Sequence, residues 1–177
     1  MIEIIQIGDP RLRQVCETIP KHTITEQETK EDIEKLNEAL ASQSDGVAIS
    51  APQIGIMKSI FVVGGMVFDK EFQEGTKKLS DVSIQNKVYI NPVITKYSKD
   101  TESMEEGCLS IRGVYGNVVR PKKIVIEYYN EQGEKNTDRV GGFLSRVIQH
   151  EFDHLHGILF IDKATDTWQN DEYKEKI

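Results

Sequence analysis

The chain has 177 residues, 38% of them hydrophobic, which is enough for one well-buried core and short for two, so a single domain over residues 1–177 is expected. A net charge of −7 and a pI near 5.2 argue against nucleic acid or an anionic membrane as the main partner; Lys77-Lys78 and Lys122-Lys123 are only pairs. No repeat, no membrane-length apolar run and no export signal at Met1–Ile7 is visible, which points to a cytoplasmic setting with Cys16 and Cys108 as reduced thiols.

In chain order, Ile2, Ile4 and Ile5 read as the start of a strand, Gly8-Asp9-Pro10 as a turn, and Leu12 to Val15 as a lead into a polar loop around Pro20. Thr25-Glu26-Gln27-Glu28 has capping-box spacing, and Ile33, Leu36 and Leu40 recur at helical intervals until Asp45-Gly46 stops the pattern. Ser59–Val63, Val88–Ile90, Ile124–Tyr129 and Ile158–Ile161 have the β-branched and aromatic content of strands, and Gly64–Gln85 reads as a long loop. Lys163–Ile177 is polar and of mixed charge, a short helix or a frayed tail, with Trp168 able to fasten it to the body or to stand exposed. Strands grouped ahead of a late helix, without β-α alternation, predict an α+β domain.

That late helix carries His150-Glu151-Phe152-Asp153-His154. Residues four apart share a helix face, so the two imidazoles can grip one divalent ion, and Glu151 lies close enough to take a proton from a water beside it. The bland alternative is a polar helix face. Against it, Leu144, Val147, Ile148, Phe152 and Leu155 make the helix apolar nearly all round, so it belongs in the core, where imidazoles and a carboxylate are costly unless paired or metal-bound. Gly141-Gly142 and Gly157 bound it with a flexible start and a left-handed stop.

Two histidines need a third ligand. Phe160 stands where a third zinc-peptidase histidine would fall, and Glu172 and Glu175 sit in the polar tail, a poor place to hold a ligand rigidly. Cys108 is the better candidate, since a thiolate beside two imidazoles suits a tetrahedral site with one open corner; the alternative is a small buried core cysteine. Gly107 would allow close approach, and the backbone N–H of Leu109 would lie near the ion. His22 and His156 read as non-catalytic, and Cys16 as a packed thiol.

Three ordered segments, Gly46-Val47-Ala48-Ile49-Ser50-Ala51-Pro52-Gln53, Glu106-Gly107-Cys108-Leu109-Ser110 and Gln149-His150-Glu151-Phe152-Asp153-His154, with Asn91-Pro92 and Val119-Arg120-Pro121 between, resemble the peptide deformylase family over most of the chain. The resemblance implies an α+β fold with mixed or antiparallel strands around a central helix bearing the two histidines, and removal of the formyl group from N-formylmethionine on nascent peptides. It implies Cys108, His150 and His154 as metal ligands, Glu151 as general acid/base, and the Gln53 amide and Leu109 N–H as oxyanion donors. The native ion would be Fe(II), with zinc, nickel or cobalt able to take its place. Substrate would lie along Gly46, Val47 and Ala48 as an added strand, with Arg120 a further candidate contact unless it is a surface charge.

Two residues depart from the family's usual Gly-x-Gly-x-Ala-Ala-x-Gln: Ala48 replaces the second glycine and Ser50 the first alanine. The Ala48 methyl would narrow the approach of substrate. Residues 162–177 are net acidic, so transient ribosome contact would not run through a basic C-terminal helix. A bacterial, organellar or phage setting fits equally. The competing readings are another metal-dependent amidase or peptidase, and a non-catalytic module that binds peptide N-termini; retention of Glu151 and Gln53 favours the enzyme.

Overall fold

The computed structural model describes residues 2–74, 76 and 84–170. The first long helix, Gln27–Ala41 (α1), buries Ile33, Leu36 and Leu40 along one stripe, as their spacing predicts. It does not use the expected capping box. Glu26 is the N-cap and makes no side-chain cap bond, while the Thr29 hydroxyl donates to the Thr23 carbonyl at 2.9 Å.

Among the described residues eight strands follow: Ala48–Ser50 (β1), Ile60–Val63 (β2), Lys87–Tyr97 (β3), Thr101–Cys108 (β4), Ile111–Pro121 (β5), Lys123–Tyr129 (β6), Lys135–Gly141 (β7) and Ala164–Gln169 (β8). They form two antiparallel sheets, one ordered β1-β2-β3-β6-β7 and the other β4-β5-β8. A short helix, Lys70–Gln73 (α2), follows β2, and the histidine helix is Gly142–His154 (α3). This is the α+β arrangement expected.

Alternation in β2 shows how the larger sheet is used. Ile60 and Val62 join the cluster beneath α1, whereas Phe61 and Val63 join the cluster beneath α3. On the α3 side Phe61 stacks on Tyr89 and Tyr89 tilts onto Tyr128, with ring centroids 4.7 and 4.4 Å apart, a rigid floor for the helix. Val147, Ile148 and Leu155 bury themselves there, each worth about 1.5–3 kcal/mol of transfer free energy. The smaller sheet closes over the other side of α3. Asn91, in the left-handed region at φ 48°, clamps Ile19 by accepting from its N–H at 2.9 Å and donating to its carbonyl at 2.7 Å.

Several expected elements differ. Ile158–Ile161 is not a strand: the chain leaves α3 through Gly157, at φ 70°, and forms a 3-10 turn over Phe160–Asp162. Leu159 and Phe160 pack against Leu12, Ile111 and Val118, so the apolar run marks burial rather than sheet. The tail expected as helix or frayed chain is strand β8 up to Gln169, where Trp168 stands opposite Tyr115 and is 38% exposed. Glu172 and Glu175 lie outside the described residues, as do Lys77-Lys78 within the expected 64–85 loop, whose described part contains a 3-10 turn at Gly65–Phe68 and α2. Residues 2–5, expected to start a strand, take no regular secondary structure and enter neither sheet. Among the described residues no helix is long and apolar enough to cross a membrane.

Candidate active site

Helix α3 runs between the sheets, its apolar face on the larger one and its histidines toward β4 and β5. The bulge that ends β4 at Gly107 and Cys108 turns the thiol toward them. The glycine before the cysteine lets the Tyr115 ring lie close, since a Cβ on Gly107 would stand 2.8 Å from it and the ring would have to move. Cys108, His150 and His154 are thus brought together with their donor atoms within 4.8 Å of one another, and Cys108 Sγ stands 3.2 Å from His154 Nε2. Among the described residues this is the one such grouping of His, Cys and carboxylate donors.

The donor set fits a divalent cation. A tetrahedral ion bound at about 2.0–2.3 Å holds its ligands on the order of 3.5 Å apart, within the span observed. His150 Nδ1 meets Glu106 Oε2 at 2.9 Å, which orients the ring and leaves Nε2 as the donor, the support a metal-binding imidazole requires. Burial disfavours a charged His150, but bonds from Cys108 and Glu106 outweigh it and lift its pKa to about 10. That proton sits where a cation would, so metal binding would release it. His154, 1% exposed, is held well below the usual imidazole range by burial and by the charge on His150. It is therefore neutral, the form that ligates.

Glu151 is buried, and its Oε2 has no hydrogen-bond partner among the described residues. Burial raises its pKa to about 7, against the opposing pull of His150 and the Ser50 hydroxyl, so the carboxyl is poised to exchange protons near neutrality. Gln53, 1% exposed, is oriented by its own loop: its Oε1 accepts from Ser50 N–H at 2.8 Å and from Ser50 Oγ at 3.0 Å. Its Nε2 is therefore turned toward Cys108 Sγ at 3.5 Å and Ser110 Oγ at 3.2 Å. The second bond to Oε1 comes from the hydroxyl that serine brings to position 50.

These groups open on a cavity of about 250 Å³. Gly46, Val47, Ala48, Gln53, Cys108, Leu109, His150 and Glu151 all line it, while His154 sits behind them. The Ala48 methyl is accommodated, 5% exposed on β1. Arg120 does not line the cavity, and it is no surface charge either. It is 3% exposed and bonds Glu106 at 2.6 and 2.9 Å and Asp153 at 2.7 Å, behind the histidines.

The rest of that network carries no signal in the sequence. Arg146 NH1 donates to Glu106 Oε1 at 2.6 Å and to the Val118 carbonyl at 2.9 Å, and Lys163 Nζ reaches Asp153 at 2.6 Å. Burial alone would raise the Glu106 pKa, but bonds from Arg120 and His150 hold it well below the carboxylate range. Also unforeseen is the role of the N-terminal segment. Ile5 N–H donates to the Gln53 carbonyl at 2.8 Å, Gln6 Nε2 to the Leu109 carbonyl at 3.0 Å, and Ile7 N–H to the Ser110 carbonyl at 2.8 Å, tying the glutamine loop to the cysteine loop. The one signal for it in the sequence is the run of Ile2, Ile4 and Ile5, which reads as the start of a strand.

Residues 1–170 match the family model for polypeptide deformylase. A peptide deformylase of Prochlorococcus marinus (strain MIT 9312) is 39% identical over 99% of this chain and 78% of its own length. Among solved structures, the peptide deformylase of Synechococcus elongatus in complex with actinonin superposes with a TM-score of 0.77 at 33% identity, over 93% of this chain and 79% of that one. That of Thermotoga maritima gives 0.77 at 34% identity, over 94% and 99%. A thiol and two helix-borne imidazoles around a buried glutamate, on a fold shared with these enzymes along nearly its whole length, place the chain in the peptide deformylase family of hydrolases.

Proposed function

We propose that this chain hydrolyses the formamide of N-formylmethionyl peptides at the start of nascent proteins, releasing formate and a free N-terminal amine. The observation that carries the reading is that Cys108, His150 and His154 meet at a cavity also lined by Glu151 and Gln53. Those three side chains would hold one divalent ion, Fe(II) by family resemblance, with zinc, nickel or cobalt as substitutes. Bound there, the ion supplies Lewis acidity that makes water nucleophilic near neutral pH and polarises the formyl oxygen.

The protein does the rest. Glu151, with a pKa near 7, accepts the proton of the attacking water. Charge then develops on the formyl oxygen, where the Gln53 amide and the Leu109 N–H are the donors, each worth about 2.7–4 kcal/mol if lost. As the carbon–nitrogen bond breaks, Glu151 returns its proton to the departing amine. Glu106 keeps the His150 ring in place throughout, and Arg120 and Arg146 keep Glu106 charged. The peptide backbone would lie along Gly46, Val47 and Ala48, and the methionine side chain against Val147, Phe143 and Val114 in the same cavity.

The test is formate release from a formyl-Met tripeptide by anaerobically prepared, Fe(II)-loaded protein, with inhibition by actinonin as a second reading. Turnover lost on Glu151→Ala is the expected result. Undetectable turnover with metal bound, or faster cleavage of an internal peptide bond, would overturn the proposal.

A further inference from the structure

We infer that Arg112 is a positioning residue for the reaction: it straps the segment along which substrate would lie to the hairpin that carries the thiol. Two stretches of chain shape this part of the cavity. Asp45, Gly46 and Val47 line it from the loop between α1 and β1, and Leu109, Ile111 and Arg112 line it where β5 leaves Cys108. The Arg112 fork reaches from the second stretch to the first. Its Nη1 donates to Asp45 Oδ1 at 3.1 Å and Oδ2 at 2.9 Å, and its Nη2 donates to the Gln43 side-chain oxygen.

Among the described residues no other hydrogen bond joins residues 42–48 to residues 101–121. The loop is otherwise tied to its own surroundings, by Gly46 N–H donating to the Gln43 carbonyl at 3.4 Å and Gly64 N–H to the Val47 carbonyl at 2.8 Å. Packing brings the two stretches close at one point: a Cβ on Gly46 would stand 3.3 Å from a Leu109 methyl and 3.1 Å from Leu40 and Gln43. The strap therefore sits beside that contact, and beside the Leu109 N–H assigned to the formyl oxygen.

Direction along β1 decides what the strap acts on. The Ser50 hydroxyl meets Glu151 and the Gln53 amide faces Cys108, so the chemistry lies at the residue-50 end of the strand. On the deformylase reading, on which this inference rests, a substrate strand starting beside Ala48 runs back past Val47. At about 3.3 Å per residue its third residue lies by Gly46, next to Asp45. A strap there holds the wall met by the later residues of the peptide and not by the formyl group. Exposed ion pairs are weak, and the side chains here are 29% exposed for Arg112 and 53% for Asp45, so losing the pair should loosen binding modestly and leave the chemical step in place.

The experiment uses the metal-loaded full chain and two uncharged substrates, formyl-Met-Ala-Ala amide, which reaches Gly46, and formyl-methionine amide, which does not. Arg112→Gln should raise KM for the tripeptide about three- to fivefold with kcat within about twofold, and leave kcat/KM for formyl-methionine amide within about twofold. Asp45→Asn should do the same, the double variant no more than either alone, and Arg112→Lys, which keeps the charge without the fork, less. Raising salt from about 50 to 500 mM should carry the wild-type KM toward that of the variants and leave theirs unmoved. An unchanged tripeptide KM in Arg112→Gln, or additive losses in the double variant, overturns the strap. So does an equal loss on both substrates, or a fall in kcat or in metal content by elemental analysis, since each means general damage to the site. Absent turnover by the metal-loaded wild type overturns instead the deformylase reading beneath it.

Discussion

Glu106→Gln tests how far the site depends on charges buried behind it. The substitution keeps the side chain's shape and removes a carboxylate that receives Arg120 at 2.6 and 2.9 Å, Arg146 at 2.6 Å and His150 at 2.9 Å. Arg120 would then keep Asp153, at 2.7 Å, while the nearly buried Arg146 would keep only the Val118 and Glu102 carbonyls. Removing one member of a buried ion pair costs about 3–5 kcal/mol, a third or more of the stability of a typical domain. The same change loosens the His150 ring, and lost support of that kind lowers metal affinity about 10–100-fold. The pH dependence has a definite sign. Folding depresses the Glu106 pKa, so its contribution is fully present above the unfolded carboxylate value of about 4.3 and is lost as pH falls through the lower folded value. Urea denaturation of wild type and variant from pH 3 to 7 should show a gap that is widest near neutrality and narrows in acid. A gap below about 0.5 kcal/mol at pH 7, with metal affinity unchanged, would refute the reasoning.

Three further outcomes follow from single residues. Gln53→Ala should lower kcat by about 100- to 1000-fold while metal content, measured by elemental analysis, stays at the wild-type level; a change confined to KM would mean the amide serves substrate binding alone. Gly157→Ala should cost about 2–4 kcal/mol in urea unfolding, because the residue sits at φ 70° and its Cβ would lie 2.5 Å from the Arg13 carbonyl oxygen, and a loss under 0.5 kcal/mol would contradict that geometry. Burial pushes the Cys16 thiol to about 12, so at pH 8 iodoacetamide should label Cys108 of metal-free protein and leave Cys16 unmodified until the chain unfolds; mass spectrometry showing equal labelling would count against it.

What the sequence makes legible is what local spacing encodes. The i, i+4 pair of histidines, the apolar surround of their helix and the left-handed stop at Gly157 are all periodic or single-residue signals, and each matches α3 as found. The thiol is legible by chemistry, since Cys108 is a strong third donor on a rigid part of the chain, but its approach depends on a bulge that no spacing announces. Strands β4, β5, β7 and β8 escape because Thr101–Cys108 and Lys135–Gly141 are polar, and Ile111–Pro121 is broken by glycines; their pairing is decided by the sheets they join. The capping box at Thr25 fails because the Thr23–Thr29 bond ties the chain differently. Arg120, Arg146, Asp153 and Lys163 are invisible as a group, since their meaning lies in contacts spanning 10 to 40 positions.

In the proposed site one sulfur and two nitrogens share an ion. X-ray absorption on the metal-loaded protein reads that directly: one sulfur at about 2.3 Å and two imidazole nitrogens at about 2.0–2.1 Å are predicted, with the sulfur lost in Cys108→Ala. A spectrum with no sulfur in the wild-type first shell would contradict it.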